Sequence, residues 1–466
     1  MRFFRRPVGA APDGGPRRGI DTPGVTTTAD PLFEELAPAL SEEHALLEAD
    51  RCLECGGPYA PAPCAVACPA GIDVPSFVAS IAAGDPAEAT ATIFAENLLG
   101  GTCARVCPVE ALCVGACVLS ETDRAPIAIG RLQRYATDWA FARGYPLRGR
   151  VRQTYGGKVA VIGAGPAGLA CAGELAVLGH GVTVFDERDE PGGLVRYAIA
   201  PYRQLRDPLP SELIGLRELG IDFRFGTAID SPYELRKLED DFDAIVLAIG
   251  MGDDVDVRYE GDELEGVWSS LPFIEAIKTG SAPQVGSHVA VIGGGNTAVD
   301  VAREARRLGA LDVTLVYRRT EAEMPAYPHE VEEAREEGVH FEFLTVPLRF
   351  LGAGRVEAIE CRHARLGEPD ESGRRRPEEV PGTEFVLHCD TVVKAIGQRP
   401  RATFLSWVED VEVAHGTLEI DEAGRTGNPK YFAAGDATNG GATVVEAVRE
   451  AKVAARAIDD YVRGNK

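Results

Sequence analysis

Lys158-Val159-Ala160-Val161-Ile162-Gly163-Ala164-Gly165-Pro166-Ala167-Gly168 is the stretch that decides the fold. Its apolar run predicts a short buried strand. Gly163, Gly165 and Gly168, with Pro166 and Ala167 between them, predict a tight turn into a helix over Leu169–Leu178. Glycines there let the backbone approach a pyrophosphate seated on the helix N-terminus. Val182-Thr183-Val184-Phe185 predicts the next strand, and Asp186 closes it. A carboxylate at that position accepts hydrogen bonds from a ribose. GxGxxG alone is a weak signal, but strand, turn, helix and acid in register make a βαβ dinucleotide unit.

A second copy follows. Val289-Ala290-Val291-Ile292 leads into Gly293-Gly294-Gly295-Asn296-Thr297-Ala298, a helix to Leu308, and a strand over Val313–Tyr317. This strand ends in Arg318-Arg319 and has no carboxylate. Guanidinium groups pair with a 2′-phosphate that an acid would repel, so NADPH is expected over NADH, with NADH still possible. Two solvated arginines at a strand end are the alternative. The acid-tipped unit then reads as the site of bound FAD and the arginine-tipped unit as the site of exchangeable NADPH.

Ala244–Gly250 and Thr391–Gly397 are further strand–glycine runs, read as the crossings out of the first unit and back into it. The expected fold class is α/β: a FAD-binding domain over 156–282 and 394–466, with an NAD(P)H-binding domain over 283–393 inserted. Tyr431–Asp436 predicts a strand ending in Gly435-Asp436, followed by a helix from Thr443 and Val444 to Tyr461. The acid can bind a ribityl chain, and the helix N-terminus can stabilise negative charge on a reduced flavin. An ordinary turn and closing helix is the competing reading.

Upstream, eight cysteines form four close pairs: Cys52 and Cys55, Cys64 and Cys68, Cys103 and Cys107, Cys113 and Cys117. Pro69 and Pro108 follow two of them, as in ferredoxin-type runs. Thiolates in tight pairs suit iron–sulfur clusters, and eight suit two 4Fe-4S clusters. Zinc would also take such pairs, and structural thiols are a third possibility. Residues 31–150, with predicted helices at Leu40–Glu48, Val74–Ala83 and Pro86–Asn97, are expected to form an all-helical domain around this group. Cys171, Cys361 and Cys389 stand alone in apolar surroundings and read as buried free cysteines.

The 466 residues carry a formal charge of −24, which argues against nucleic-acid or anionic-membrane binding. No apolar run approaches the ~18 residues of a spanning helix. Residues 1–30, rich in Gly, Pro and Arg, read as a flexible tail without a secretory signal, and a cytoplasmic location is expected.

The chain resembles the FAD- and iron–sulfur-containing NAD(P)H oxidoreductases, which include the glutamate synthase small subunit and the electron-input half of dihydropyrimidine dehydrogenase. The likeness runs from about Asp50 to Ala457. It rests on Arg51–Cys55, Cys68–Pro75, Gly163–Gly168, Gly192-Gly193-Leu194, Gly293–Asp300, Tyr317–Thr320 with Met324-Pro325-Ala326, and Ala433–Asp436. Thr102–Pro108 and Pro126–Gln133 are similar to the dihydropyrimidine dehydrogenase branch. That resemblance implies one cluster on Cys52, Cys55, Cys64 and Cys117, and a second on Cys68, Cys107, Cys113 and Gln133. Spacing alone favours Cys103 as the eighth ligand, because a glutamine oxygen is a poor partner for a soft metal. The segment between Cys55 and Cys64, with Pro58, Pro61 and Pro63, is longer than that family's. Where the family commonly has Tyr-Gly-Ile-Pro, this chain has Tyr197-Ala198-Ile199-Ala200, then Pro201-Tyr202-Arg203. Gly193, Leu194 and Arg203 are thereby expected on the flavin side.

The implied activity is hydride transfer from NADPH to FAD, then single electrons through two clusters to a larger oxidoreductase subunit. No side chain is needed as a nucleophile. The alternative is a stand-alone NAD(P)H reductase of ferredoxin, sulfur or quinone-type acceptors, and a non-catalytic sensor or scaffold is the third reading.

Overall fold

A computed structural model describes residues 35–57, 60–149, 156–204, 207–369 and 373–464; the tail expected at 1–30 and Pro58 lie outside them. Strand Lys158–Ile162 is buried beyond its first residue and sits at the centre of a five-stranded sheet. Its neighbours are Gly181–Phe185 and then Asp222–Arg224 on one side, Ala244–Leu247 and then Tyr431–Ala433 on the other, all parallel. Strands buried on both faces need continuous apolar sequence, and Ala244–Leu247 is buried throughout. The crossover helix Pro166–Leu178 starts with proline in its first turn and ends at Gly179 in the left-handed region.

The second sheet repeats this plan. Its order is Val267–Ser269, Thr391–Lys394, His288–Ile292, Asp312–Tyr317 and Val339–Phe343, again parallel. Strand Val267–Ser269 pairs with Thr391–Lys394, and helix Ser270–Lys278 follows it directly. The chain therefore joins the second sheet before residue 283, so the expected boundary there is too late. Three residues of an edge strand carry no readable alternation, and its place is set by backbone pairing alone. Thr345–Leu351, Ala358–Pro369 and Arg375–His388 form a separate antiparallel sheet that the sequence reading does not resolve into elements.

The cysteine-bearing region is helical, with Glu42–Asp50, Val74–Ala82, Pro86–Glu96, Gly100–Val106 and Ile129–Arg143. Asp73 and Asp85 cap the second and third of these through their side chains. One apolar core runs from this region into the first sheet: Leu98 meets the Gly173 face of helix Pro166–Leu178, and helix Val444–Val462 packs along that same helix. Polar ties cross the seam, those of Glu212 and Lys452 among them. Glu212 accepts hydrogen bonds from Thr102 N at 2.9 Å and Thr102 Oγ1 at 2.6 Å. Lys452 donates to the carbonyls of Ala70 and Glu96, each at 2.8 Å. Buried polar groups need such partners, so these ties also fix the register of the seam.

Candidate functional site

Two glycines of the first turn, Gly163 and Gly168, have no room for a side chain. Gly163 has φ +105°, and a Cβ on it would lie 2.2 Å from the carbonyl oxygen of Ala248. A Cβ on Gly168 would lie 1.9 Å from the oxygen of Gly163. Gly193 approaches Gly165, and Gly435 approaches Ala167, so Gly163, Gly165, Pro166, Ala167, Gly168, Gly193 and Gly435 come together. Asp186 accepts from Ala164 N at 2.6 Å and Arg188 N at 2.8 Å, which fixes the carboxylate beside the turn. Burial pushes its pKa up against these bonds. Asp436 is likewise raised by burial, and it accepts from Ala442 N at 3.2 Å. Gly250 has φ +60° at the end of the crossing. This side-chain-free cradle at a helix N-terminus, with acids behind it, fits the diphosphate and ribityl parts of FAD.

The second turn repeats the constraint, since a Cβ on Gly293 would lie 2.1 Å from Ala395 O. It opens on a large cavity lined by Gly293, Gly295, Asn296, Thr297, Arg318 and Arg319 of the second unit and by Gly397 at the crossing back to the first. Leu194, Arg203, Thr443 and Val444 of the first unit line the same cavity. Val106 and Pro108, which flank Cys107, also reach it. The first glycine turn, Asp186, Gly250, Gly435 and Asp436 lie outside this cavity. Arg318 is exposed at its strand end, whereas Arg319 is buried and donates from Nε to the carbonyl of Arg375 at 2.7 Å. The two arginines are therefore not equivalent.

Arg203 is the centre of an ionic network across the two units. It bonds Asp300 at 2.7 Å and Glu330 at 3.0 Å, and Tyr202 donates its hydroxyl to Asp300. Burial pushes the Glu330 carboxyl up to about 7. Glu304 is fully buried without a partner among the described residues, and burial raises it well above the carboxylate range. Lys278 donates to Val195 O at 3.0 Å and Ile199 O at 2.7 Å, and burial lowers it to about 8. Sequence reasoning missed Glu330, Glu304 and Lys278, which carry no motif. Asp300, inside the second glycine motif, was the available hint.

Cys52, Cys55, Cys64 and Cys117 line one small pocket whose other walls include Val74, Val78, Leu119 and Ile129. Burial first, and then the nearby Cys52, pushes the Cys64 thiol up to about 11. Cys68, Cys107 and Cys113 form a second group: burial and then Cys68 push Cys113 up to about 12. Cys107 is also raised, first by a hydrogen bond with Cys103, which therefore lies in the second group. Gln133 is buried and donates from Nε2 to Gly100 O at 2.7 Å. Among the described residues no three His, Cys, Asp or Glu side chains converge on a single-ion position. Four thiols lining one pocket are the donor set that a 4Fe-4S cluster takes. Cys171, Cys361 and Cys389 are buried and free.

Residues 157–451 match the pyridine nucleotide-disulphide oxidoreductase family, and residues 29–145 match dihydropyrimidine dehydrogenase domain II, 4Fe-4S cluster. The glutamate synthase (NADPH) small chain of Halomonas elongata is 38% identical over 453 residues, covering 92% of this chain and 93% of that one. The NADP(+)-dependent formate dehydrogenase subunit beta of Moorella thermoacetica is 38% identical over 434 residues, covering 87% of this chain and 60% of the relative. The structure of Mycobacterium tuberculosis FprA in complex with NADPH shares the fold, with TM-score 0.55 at 20% identity over 66% of this chain and 86% of that one. No helix among the described residues is long and apolar enough to cross a membrane. The chain belongs to the pyridine nucleotide-disulphide oxidoreductase family, as a FAD-dependent NADPH oxidoreductase that carries an iron–sulfur domain ahead of its nucleotide-binding units.

Proposed function

We propose that this chain is the electron-input subunit of a larger oxidoreductase, taking hydride from NADPH and passing single electrons to a partner through two 4Fe-4S clusters. FAD, when bound, supplies the conversion from two-electron to one-electron transfer, since clusters cannot accept hydride. The chain's own residues position the reactants. The N-terminus of helix Asn296–Arg307 would receive the nucleotide pyrophosphate, and Arg318 and Arg319 its 2′-phosphate. Arg203, held by Asp300 and Glu330, would order the wall between nicotinamide and flavin.

Cys52, Cys55, Cys64 and Cys117 would hold one cluster. Cys68, Cys107 and Cys113 with Gln133 would hold the other. A cytoplasmic setting, where thiols stay reduced, belongs to the same reading. So does a partner of the kind that a glutamate synthase small chain or a dehydrogenase beta subunit implies.

The observation that carries this is one cavity lined at once by the second glycine turn, the start of the C-terminal helix and the two neighbours of Cys107. The test is anaerobic stopped-flow mixing with NADPH, followed at flavin and cluster wavelengths. Flavin bleaching followed by cluster reduction is expected, and an unbleached flavin refutes the proposal.

A further inference from the structure

The antiparallel hairpin carries an arginine that none of the foregoing assigns. Arg374 stands one residue before strand Arg375–His388 and lines the same cavity as Arg318 and Arg319. Its place is set by its neighbour. Arg375 gives its carbonyl to Arg319 Nε at 2.7 Å, and its own guanidinium bonds Leu366 O at 2.9 Å and Gly367 O at 3.1 Å. The hairpin is thus tied both to itself and to the end of strand Asp312–Tyr317.

Three carboxylates of the described residues lining this cavity have partners of their own. Asp254 accepts from Ser270 and Leu271, while Asp300 and Glu330 hold Arg203. In a chain of net charge −24, an anionic phosphate has to be drawn by a local concentration of cations, not by the overall field.

We propose that Arg374 is a specificity-determining residue for the 2′-phosphate of NADPH, completing with Arg318 and Arg319 a clamp whose third arm is delivered by the hairpin. This rests on the NADPH reading above. A phosphate presents three acceptor oxygens, so guanidinium groups arriving from two separate elements can each find one.

The test is calorimetric titration of the holoprotein with 2′,5′-ADP and with 5′-AMP, which differ only in that phosphate. Arg374→Gln is expected to weaken 2′,5′-ADP about tenfold, about 1.4 kcal/mol, and to leave 5′-AMP within about twofold. Arg374→Lys should retain part of the discrimination. Arg376→Gln, which removes a hairpin arginine outside the cavity, should leave both affinities unchanged. If Arg374→Gln alters both ligands equally, or neither, the clamp is overturned. If Arg318→Gln abolishes discrimination while Arg374→Gln keeps it, only the hairpin arm falls. If the unaltered protein binds both ligands equally, the NADPH reading falls with it.

Discussion

Glu212 makes the seam between the iron–sulfur domain and the first nucleotide unit sensitive to pH. It is fully buried, accepts both of its hydrogen bonds from Thr102, and is pushed up to about 7, chiefly by burial, from an ordinary value of 4.5. An acid whose folded-state pKa is raised holds its proton better folded than unfolded. Its contribution is therefore fully present below pH 4.5 and is lost as pH rises towards 7. A displacement of that size corresponds to about 3 kcal/mol across the window. Glu212→Gln removes the titration while keeping one acceptor for Thr102 N and one donor for Thr102 Oγ1. Anaerobic urea unfolding of the cofactor-loaded protein at pH 5 and pH 8 reads the difference. The wild type should lose about 2.5 kcal/mol relative to Glu212→Gln on going from pH 5 to pH 8, the first part of the window being already lost at pH 5. Parallel pH profiles for the two proteins would refute the assignment of this buried charge.

Other substitutions separate the parts of the machine. Gly163→Ala places a Cβ 2.2 Å from Ala248 O and should abolish flavin retention, read from absorbance after desalting. Gly293→Ala, with its Cβ 2.1 Å from Ala395 O, should keep the flavin but lose its reduction by NADPH. Asp300→Asn leaves the Arg203 guanidinium with one carboxylate and should slow flavin reduction by about tenfold or more at unchanged flavin content, because misplacement by ~1 Å is enough for such losses. Cys64→Ser should lose about half of the iron and sulfide, whereas Cys103→Ser should keep nearly all of it if Gln133 is the eighth ligand. Metal and sulfide analysis with electron paramagnetic resonance decides between Cys103 and Gln133.

The two glycine turns were legible because their constraint is local. A tight turn onto a helix needs glycine wherever the backbone folds against Ala248 or Ala395, whatever surrounds it. The cysteine pairs were legible for the same reason, and the small pocket gathers Cys52, Cys55, Cys64 and Cys117 from segments far apart in sequence. Contacts made only in three dimensions were not legible. Glu330 approaches Arg203 from a helix beyond residue 327, and Lys452 reaches Ala70 across 382 residues. Arg318 and Arg319 read alike as neighbours in sequence, yet just past the strand end one is exposed and the other is buried and bonded to the carbonyl of Arg375. Strand Val267–Ser269 was lost because three residues are too few to show a period.

The C-terminal helix works as a spacer bar. Its first turn borders the cavity where the nucleotide arrives, and Lys452, nine positions after Thr443, is bolted to the loop after Cys68. At 1.5 Å per residue those two points are held about 13.5 Å apart. Movement of the inserted unit against the first would leave this span unchanged, so a flavin held at the helix start and a cluster held beside Cys68 would keep one separation.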